Sequence, residues 1–420
     1  MTTGHAPLLR HLRPRGDDLE QPITTVELFF DLVYVFAITQ CSHMILANLT
    51  VAELGRASLL LLIVWWAWIY TTWMANWFDP TSPAVRGVLT GVMLASLLMA
   101  AALPGAFGRD GKLFAVSYVV LQVGRNVAAS TLLGRHALRP VFDRLVGWSI
   151  ASGALWLAGA VLAGDRRLLL WMPAVALDLG APFAGYWLPG RGHAVTTDYD
   201  IDGAHFTDRC QGFIIIALGE SIVVTGATAA HAGLTSAVVV SLCIAFVETA
   251  ALWWLYFGAV AEGSRRVMMS CEDPGRLARD AYTYLHAPIV AGIIAVAVGD
   301  DLLIAAPGDS LHGVGLTMVI GGPVLYLLGE SLFRLRMTGA ANAKRVAVAA
   351  ALVLLVPIGT QISALALSAS VAAMLGTLAL WELRPTVRHS LGTRLGSSTD
   401  ARAPHMGDLR HVQQHQEGTP

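Results

Sequence analysis

Charge is what this chain has least of. Asp, Glu, Lys and Arg make up 14% of its 420 residues, against 55% that are apolar. A soluble domain needs about 25% charged residues. Cysteine is also sparse: Cys41, Cys210, Cys243 and Cys271 are scattered, with no CxxC pair. They read as small apolar fillers rather than a disulfide framework. Neither zinc spacing nor a histidine pair placed to ligate haem occurs, so no metal and no cofactor is expected. Phosphate loops, nucleophile elbows and dinucleotide fingerprints are missing too, which argues against a soluble-type catalytic site. A net charge of −1 is uninformative in itself, and no nucleic-acid partner is expected. The first apolar run begins near residue 25, after Arg10, Arg13 and Arg15, without a small-residue cleavage site. It is expected to remain as a span rather than be removed as a signal.

What the chain does have is apolar length. Its mean hydropathy is +0.59, and apolar runs of about 18 residues or more recur along it. The expected fold is all-α, a polytopic bundle of about twelve spans near 25–47, 56–77, 87–107, 113–134, 144–163, 168–188, 206–229, 234–257, 281–299, 313–335, 345–360 and 362–382. The last two are separated by a turn at Pro357-Ile358-Gly359-Thr360, because one continuous helix would overshoot a hydrocarbon core of about 30 Å. Residues 1–22 and 385–420 mix Gly, Pro, His, Asp and Arg without periodicity and read as tails. Between them lies a membrane domain, 23–384, with halves at about 23–188 and 206–384 joined by the loop 189–205. Asp198, Asp200 and Asp202 in that loop mimic a calcium site but lack its remaining ligands. The segments assigned to one side hold nearly all the arginines, and the other side holds only Arg56, Arg109, Lys112, Arg166 and Arg167. By the positive-inside rule both termini are cytoplasmic.

Set against that background, the few buried charges stand out. In the first span Glu27 and Asp31 are four residues apart, and Tyr34, Ile38, Cys41 and Ser42 continue the same helical stripe. Asp178, Glu220, Glu248 and Arg125 fall deep inside other spans. Each ionised group at a span centre costs about 2.5–3.5 kcal/mol on insertion scales. One arginine cannot neutralise so many carboxylates, so they are expected to line a shared wet cavity, with Arg125 as counter-ion or anion anchor. Some then hold a proton or a cation; the alternative is a structural network that locks helices together. Pro182, four residues after Asp178, would free the Asp178 carbonyl within a broken helix. His205, Asp208 and Arg209 form a polar cluster at the inner mouth of the seventh span, and His205 with Asp208 could relay protons. Gly212, Gly219 and Gly226 recur every seven residues there as a seam for close helix approach. Trp66, Tyr70, Trp73 and Trp77 form one stripe of the second span. It serves as an interfacial belt or packing face, or as a cation–π lining for an organic cation.

Three stretches carry a family likeness: VELFFDLVYVFAI from Val26, HFTDR from His205 running on to IIIALGESI from Ile214, and YLHAPIVAGI from Tyr284. Over roughly residues 20–385 the chain resembles the bacterial low-temperature-requirement A (LtrA) family of polytopic membrane proteins. Where the family pattern reads Glu-Arg, this chain has Asp208-Arg209. The resemblance implies an integral membrane protein tied to growth in the cold. A second LGES, at 328–331, reads as coincidence in so biased a composition.

The functional expectation is a multi-pass protein of the bacterial inner membrane, in contact with lipid. It would act as a proton- or cation-coupled secondary transporter of an unknown small solute, with Glu27, Asp31, Asp178, Glu220 and Glu248 as candidate binding carboxylates. A membrane sensor or scaffold with a purely structural polar core is the alternative. A lipid-modifying membrane enzyme ranks third, because no nucleophile or metal set is recognisable.

Overall fold

A computed structural model describes residues 11–14, 21–258 and 260–399, with side chains up to residue 383. Apart from isolated β-bridges such as Leu12 with Phe78, the described residues form helices and turns without a strand. In chain order the helices are α1 (Thr25–Ala47), α2 (Val51–Trp77), α3 (Pro83–Ala102), α4 (Gly111–Leu133), α5 (Arg139–Val161), α6 (Leu168–Gly180), α7 (Gly203–Ala232) and α8 (Ser236–Phe257). There follow α9 (Ala261–Ser270), α10 (Pro274–Leu277), α11 (His286–Ala305), α12 (Gly313–Leu316), α13 (Gly322–Thr338), α14 (Ala343–Leu354), α15 (Val356–Gly359) and α16 (Ala364–Thr399). Wide π-helical turns, Ala278–Leu285 and Thr317–Gly321, lead into α11 and α13. The chain divides into two compact units, Met1–Ala379 and Leu380–Pro420; the architecture below is that of the first.

Among the described residues, ten helical stretches are long and apolar enough to cross a membrane. Two of the expected twelve fall short. The sixth, α6, has 13 residues and the eleventh, α14, has 12, about 20 and 18 Å at 1.5 Å per residue. Proline sets both limits. Pro182 lies just past the end of α6 rather than inside it, so no helix continues for it to break; the proline within α6 is Pro173. Pro357 sits in the one-turn α15, and the chain turns between Gly359 and Ala364, where the sequence places a turn. The tail assignments also change. Helix α16 runs on to Thr399, through residues assigned to a tail, while 400–420 lie outside the described residues. Of 1–22, residues 11–14 are held against the helices: Arg13 N–H donates to the Trp77 carbonyl at 2.9 Å, and the Arg13 side chain is buried.

Helix α4 packs on α3 and α5, α11 packs on α7 and α13, and α1 and α2 meet α7 and α11 between these groups. Helix α1 shows how a membrane helix sorts its sides. The stripe of Glu27, Asp31, Tyr34, Ile38, Cys41 and Ser42 is buried, while Leu28, Phe29, Leu32 and Phe36 are exposed, as lipid-facing residues should be.

The closest helix approach is not where the glycine spacing of α7 suggests. A Cβ built on Gly212, Gly219 or Gly226 would meet nothing within 4 Å, so that seam holds no helix. On Gly292 a Cβ would lie 2.5 Å from the Tyr326 backbone nitrogen, and on Gly322 it would lie 2.8 Å from that of Val296. Gly299 and Gly329 repeat the contact seven residues further on, against Val319 and Ile289. The bare surfaces face each other across α11 and α13, where only glycine admits such backbone proximity.

Candidate functional site

At the N-terminus of α1 the carboxylate of Glu27 is saturated. Its Oε2 accepts from the Thr24 N–H at 2.9 Å and the Thr24 hydroxyl at 2.8 Å, and the Thr24 oxygen in turn takes the Glu27 N–H, forming a capping box. The same oxygen takes Arg13 Nη2 at 2.9 Å, and Oε1 lies 2.9 Å from His205 Nε2. One turn on, Asp31 forms a two-pronged pair with Arg209 at 2.6 and 2.8 Å and accepts Trp68 Nε1 at 2.8 Å. Two-pronged pairs of this kind are the strongest ionic contacts side chains make. Glu27 and Asp31 are thus each matched by their own cation and are not a bare acid pair. The His205, Asp208 and Arg209 cluster divides accordingly. His205 and Arg209 turn inward to α1, whereas Asp208 turns away to Arg265 at 3.4 Å, so His205 and Asp208 form no relay.

Asp178 stands elsewhere, between α4, α5 and α6, accepting from the Tyr118 hydroxyl at 2.9 Å and Trp156 Nε1 at 3.1 Å. Arg125, fully buried, forms no direct ion pair with these acids among the described residues, although its charge acts on Asp178. Its donors go to the neutral oxygens of Ala67, Thr71, Gln122 and Asn126, and its guanidinium lies 5.5 Å from the centre of the Tyr70 ring.

The acids of α7, α8 and α11 form a third group. Glu220 Oε2 accepts the Thr39 hydroxyl at 2.6 Å, while Oε1 is buried without a hydrogen-bond partner. Its neighbour Ser221 donates to Asp300 at 2.7 Å and accepts from the Thr249 hydroxyl at 3.0 Å. Glu248, 2% exposed, lies where the like charge of Asp300 acts on it. Asp301 follows, held by Thr228. Among the described residues the only basic side chain acting on this group is His43, near Glu220 and Asp301. The acids therefore do not share one cavity. They sit in three places, and only the third lacks arginine and has several carboxyl groups together.

Sequence reasoning found Glu220 and Glu248 but missed Asp300 and Asp301, which lie just past the expected end of their span at 299. It missed Arg13 by assigning it to a tail. It also missed the fully buried pair of Glu330 with Arg345, having read the second LGES as coincidence. In the loop, Asp202 caps α7 by accepting the His205 N–H at 2.9 Å, an ordinary helix start. Among the described residues no group of three or more His, Cys, Asp or Glu could hold a metal ion.

Helices this apolar, with acids turned inward and large aliphatic and aromatic side chains turned outward, define a multi-pass membrane protein. The chain belongs to the family described as bacterial low temperature requirement A protein (LtrA), whose model matches residues 22–380. It is similar to an uncharacterized protein of Rhizobium meliloti (strain 1021), at 36% identity over 309 residues, covering 72% of this chain and 75% of the relative. No solved structure matches it.

Proposed function

We propose that this protein is a proton- or cation-coupled secondary transporter of the bacterial cytoplasmic membrane, with both termini on the cytoplasmic side. The coupling site is Glu248 with Asp300, joined through Ser221 to the neighbouring Glu220. The observation that carries this reading is the absence of any Arg or Lys acting on these carboxyl groups among the described residues. Two buried carboxylates that repel each other without a cation cannot both stay charged in a low-dielectric interior. Electroneutrality is met by a proton or a small cation, and the surrounding hydroxyl oxygens of Thr39, Ser221 and Thr249 can accept a hydrogen bond from a protonated carboxyl or turn a lone pair to a cation. A further sign is the buried Glu220 Oε1, which has no hydrogen-bond partner and is open to a proton or ion.

The scaffold reading has an observation of its own. Glu27 and Asp31 are fully matched, tying residues 11–14, α1, α2 and α7 together as a lock would. We assign those two acids to that structural role and keep the coupling role for the Glu248 group. The test is proton flux in reconstituted vesicles under an imposed potential, comparing the native protein with Glu248→Gln and Asp300→Asn. Flux in the native protein that both substitutions abolish, with folding retained, supports coupling. Equal flux in all three, or none in any, sinks it.

A further inference from the structure

The acids of α7, α8 and α11 lie in a polar layer that cuts the apolar core in two. On one side of it Ala229 of α7, Val238 of α8 and Ile304 of α11 form a small apolar cluster of their own, with Leu242 packed against them. They stand where α7 ends, α8 begins and α11 ends. Arg13 and Glu27 meet His205 at the opposite end of α7. On the other side of the layer the main core resumes at Ala251, Leu252 and Tyr256 of α8. Between the two, Ser221, Thr225, Ser241, Glu248, Thr249 and Asp300 are all buried.

Two polar features lead from this layer toward the small cluster. Ser241 comes seven residues before Glu248, close to two turns, and so shares its side of α8. It is fully buried, and its hydroxyl has no hydrogen-bond partner. Folded interiors rarely keep such a group unless water or an ion completes it. Ser241 lies five residues from the start of α8 and Glu248 lies twelve, about 7.5 and 18 Å along the axis. The second feature is Asp301, half-buried beside the buried Asp300 and held by the half-buried Thr228. The basic group near it is His43, exposed in the last turns of α1. Exposure therefore rises from Asp300 through Asp301 to His43.

The opposite direction is closed. One turn past Glu248 the Tyr326 hydroxyl donates to the Leu252 carbonyl at 2.7 Å. The Tyr256 hydroxyl lies 2.8 Å from His286 Nε2, and the His286 ring packs on Tyr282 at 4.9 Å and Phe333 at 4.6 Å. Arg345, in its pair with Glu330, donates to the Leu255 carbonyl at 2.8 Å. None of these side chains is more than 1% exposed. A cation moving that way would meet a hydrogen-bonded aromatic block and then a guanidinium.

We infer that the ion reaches the Glu248–Asp300 group from the end of the bundle opposite Arg13, past Ser241 and the Asp301–Thr228 pair and through the thin Ala229, Val238 and Ile304 cluster. On the orientation proposed above, that end faces away from the cytoplasm. The identity of the ion rests on the coupling reading; the path and its test do not.

The test is thiol accessibility of the full-length chain in membrane vesicles of the two orientations, with Cys41, Cys210, Cys243 and Cys271 replaced by Ala. Ser241→Cys, Thr225→Cys and Leu252→Cys are added singly, and variants that keep the native melting temperature are exposed to a membrane-impermeant trimethylammonium methanethiosulfonate. Ser241→Cys and Thr225→Cys should be labelled from the face opposite the N-terminus and not from the face that carries it. Leu252→Cys should be labelled from neither. The anionic sulfonate counterpart of the reagent should react more slowly at both labelled positions, because the path ends on carboxyl groups. Sodium that slows the Ser241→Cys reaction assigns the path to a metal cation, and a rate unmoved by sodium assigns it to the proton. Labelling needs no gradient, so labelling as expected without proton flux removes the coupling reading and leaves the path. The inference is overturned if Ser241→Cys and Thr225→Cys stay unlabelled from both faces, or are labelled as fast from the N-terminal face. It is equally overturned if Leu252→Cys is labelled from the N-terminal face, or if the anionic reagent reacts as fast as the cationic one.

Discussion

Two groups of buried acids lie on the same helix bundle and are partnered in opposite ways. Glu27 and Asp31 sit at the start of α1, each facing a guanidinium, with Trp68, Thr24 and His205 completing their hydrogen bonds. Glu220, Glu248, Asp300 and Asp301 sit further along, reached from α1 at Thr39, twelve residues or roughly 18 Å beyond Glu27. Their partners are hydroxyls. The residue types are the same, so the difference comes wholly from what each carboxylate faces. A pair matched in charge and geometry fixes a structure. A set of acids matched by hydroxyls, with no arginine or lysine acting on it among the described residues, is what the proposed coupling role calls for.

The largest expected effect comes from breaking the matched group. Asp31→Asn leaves Arg209 buried without its charge partner, and should cost about 3–5 kcal/mol in unfolding measurements in mixed detergent. Replacing Asp31 and Arg209 together by Leu should recover most of that loss. A single variant as stable as the native chain would remove the distinction between the groups.

A second comparison, between the two glycine patterns, comes next in size. Gly292→Ala drives a methyl group into the Tyr326 backbone and should cost about 1–3 kcal/mol by the same assay. Glu248→Gln should cost less than about 1 kcal/mol or stabilise, since it removes an acid that has no cation to lose. That near-neutrality, set beside the Asp31→Asn loss, is the sharpest stability contrast the two groups offer. The smallest effect belongs to Gly219→Ala. Its added methyl meets no atom within 4 Å, so the melting curve should stay within about 0.5 kcal/mol of native.

The helices were largely legible in the sequence, and so was the sidedness of α1. A stripe of Glu27, Asp31, Tyr34 and Ile38 at helical spacing has one reading in lipid, and all four residues are buried. The partners of the acids were not legible, for physical reasons that differ from case to case. Arg13 lies in a polar stretch without periodicity, and only tertiary structure carries it to Glu27. Asp300 and Asp301 fall at a helix end, where hydropathy cannot tell a buried acid from a solvated one. The seven-residue glycine spacing occurs in α7 and again as Gly292 with Gly299 and Gly322 with Gly329; spacing shows which residues share a face, not what that face meets. Arg125 was assigned to the acids by counting charges over the whole chain, and a count cannot show that its donors go to neutral oxygens while its charge acts on Asp178 without a direct ion pair.

The central claim is that the Glu248–Asp300 group holds an exchangeable ion. Infrared difference spectroscopy in buffer free of sodium and potassium reads it most directly. The account predicts a protonated-carboxyl band in the native protein that exchanges with deuterium, disappears in the Glu248→Gln, Asp300→Asn double variant and survives in the Asp31→Leu, Arg209→Leu one. Superimposable native and Glu248→Gln, Asp300→Asn spectra in that region would contradict it.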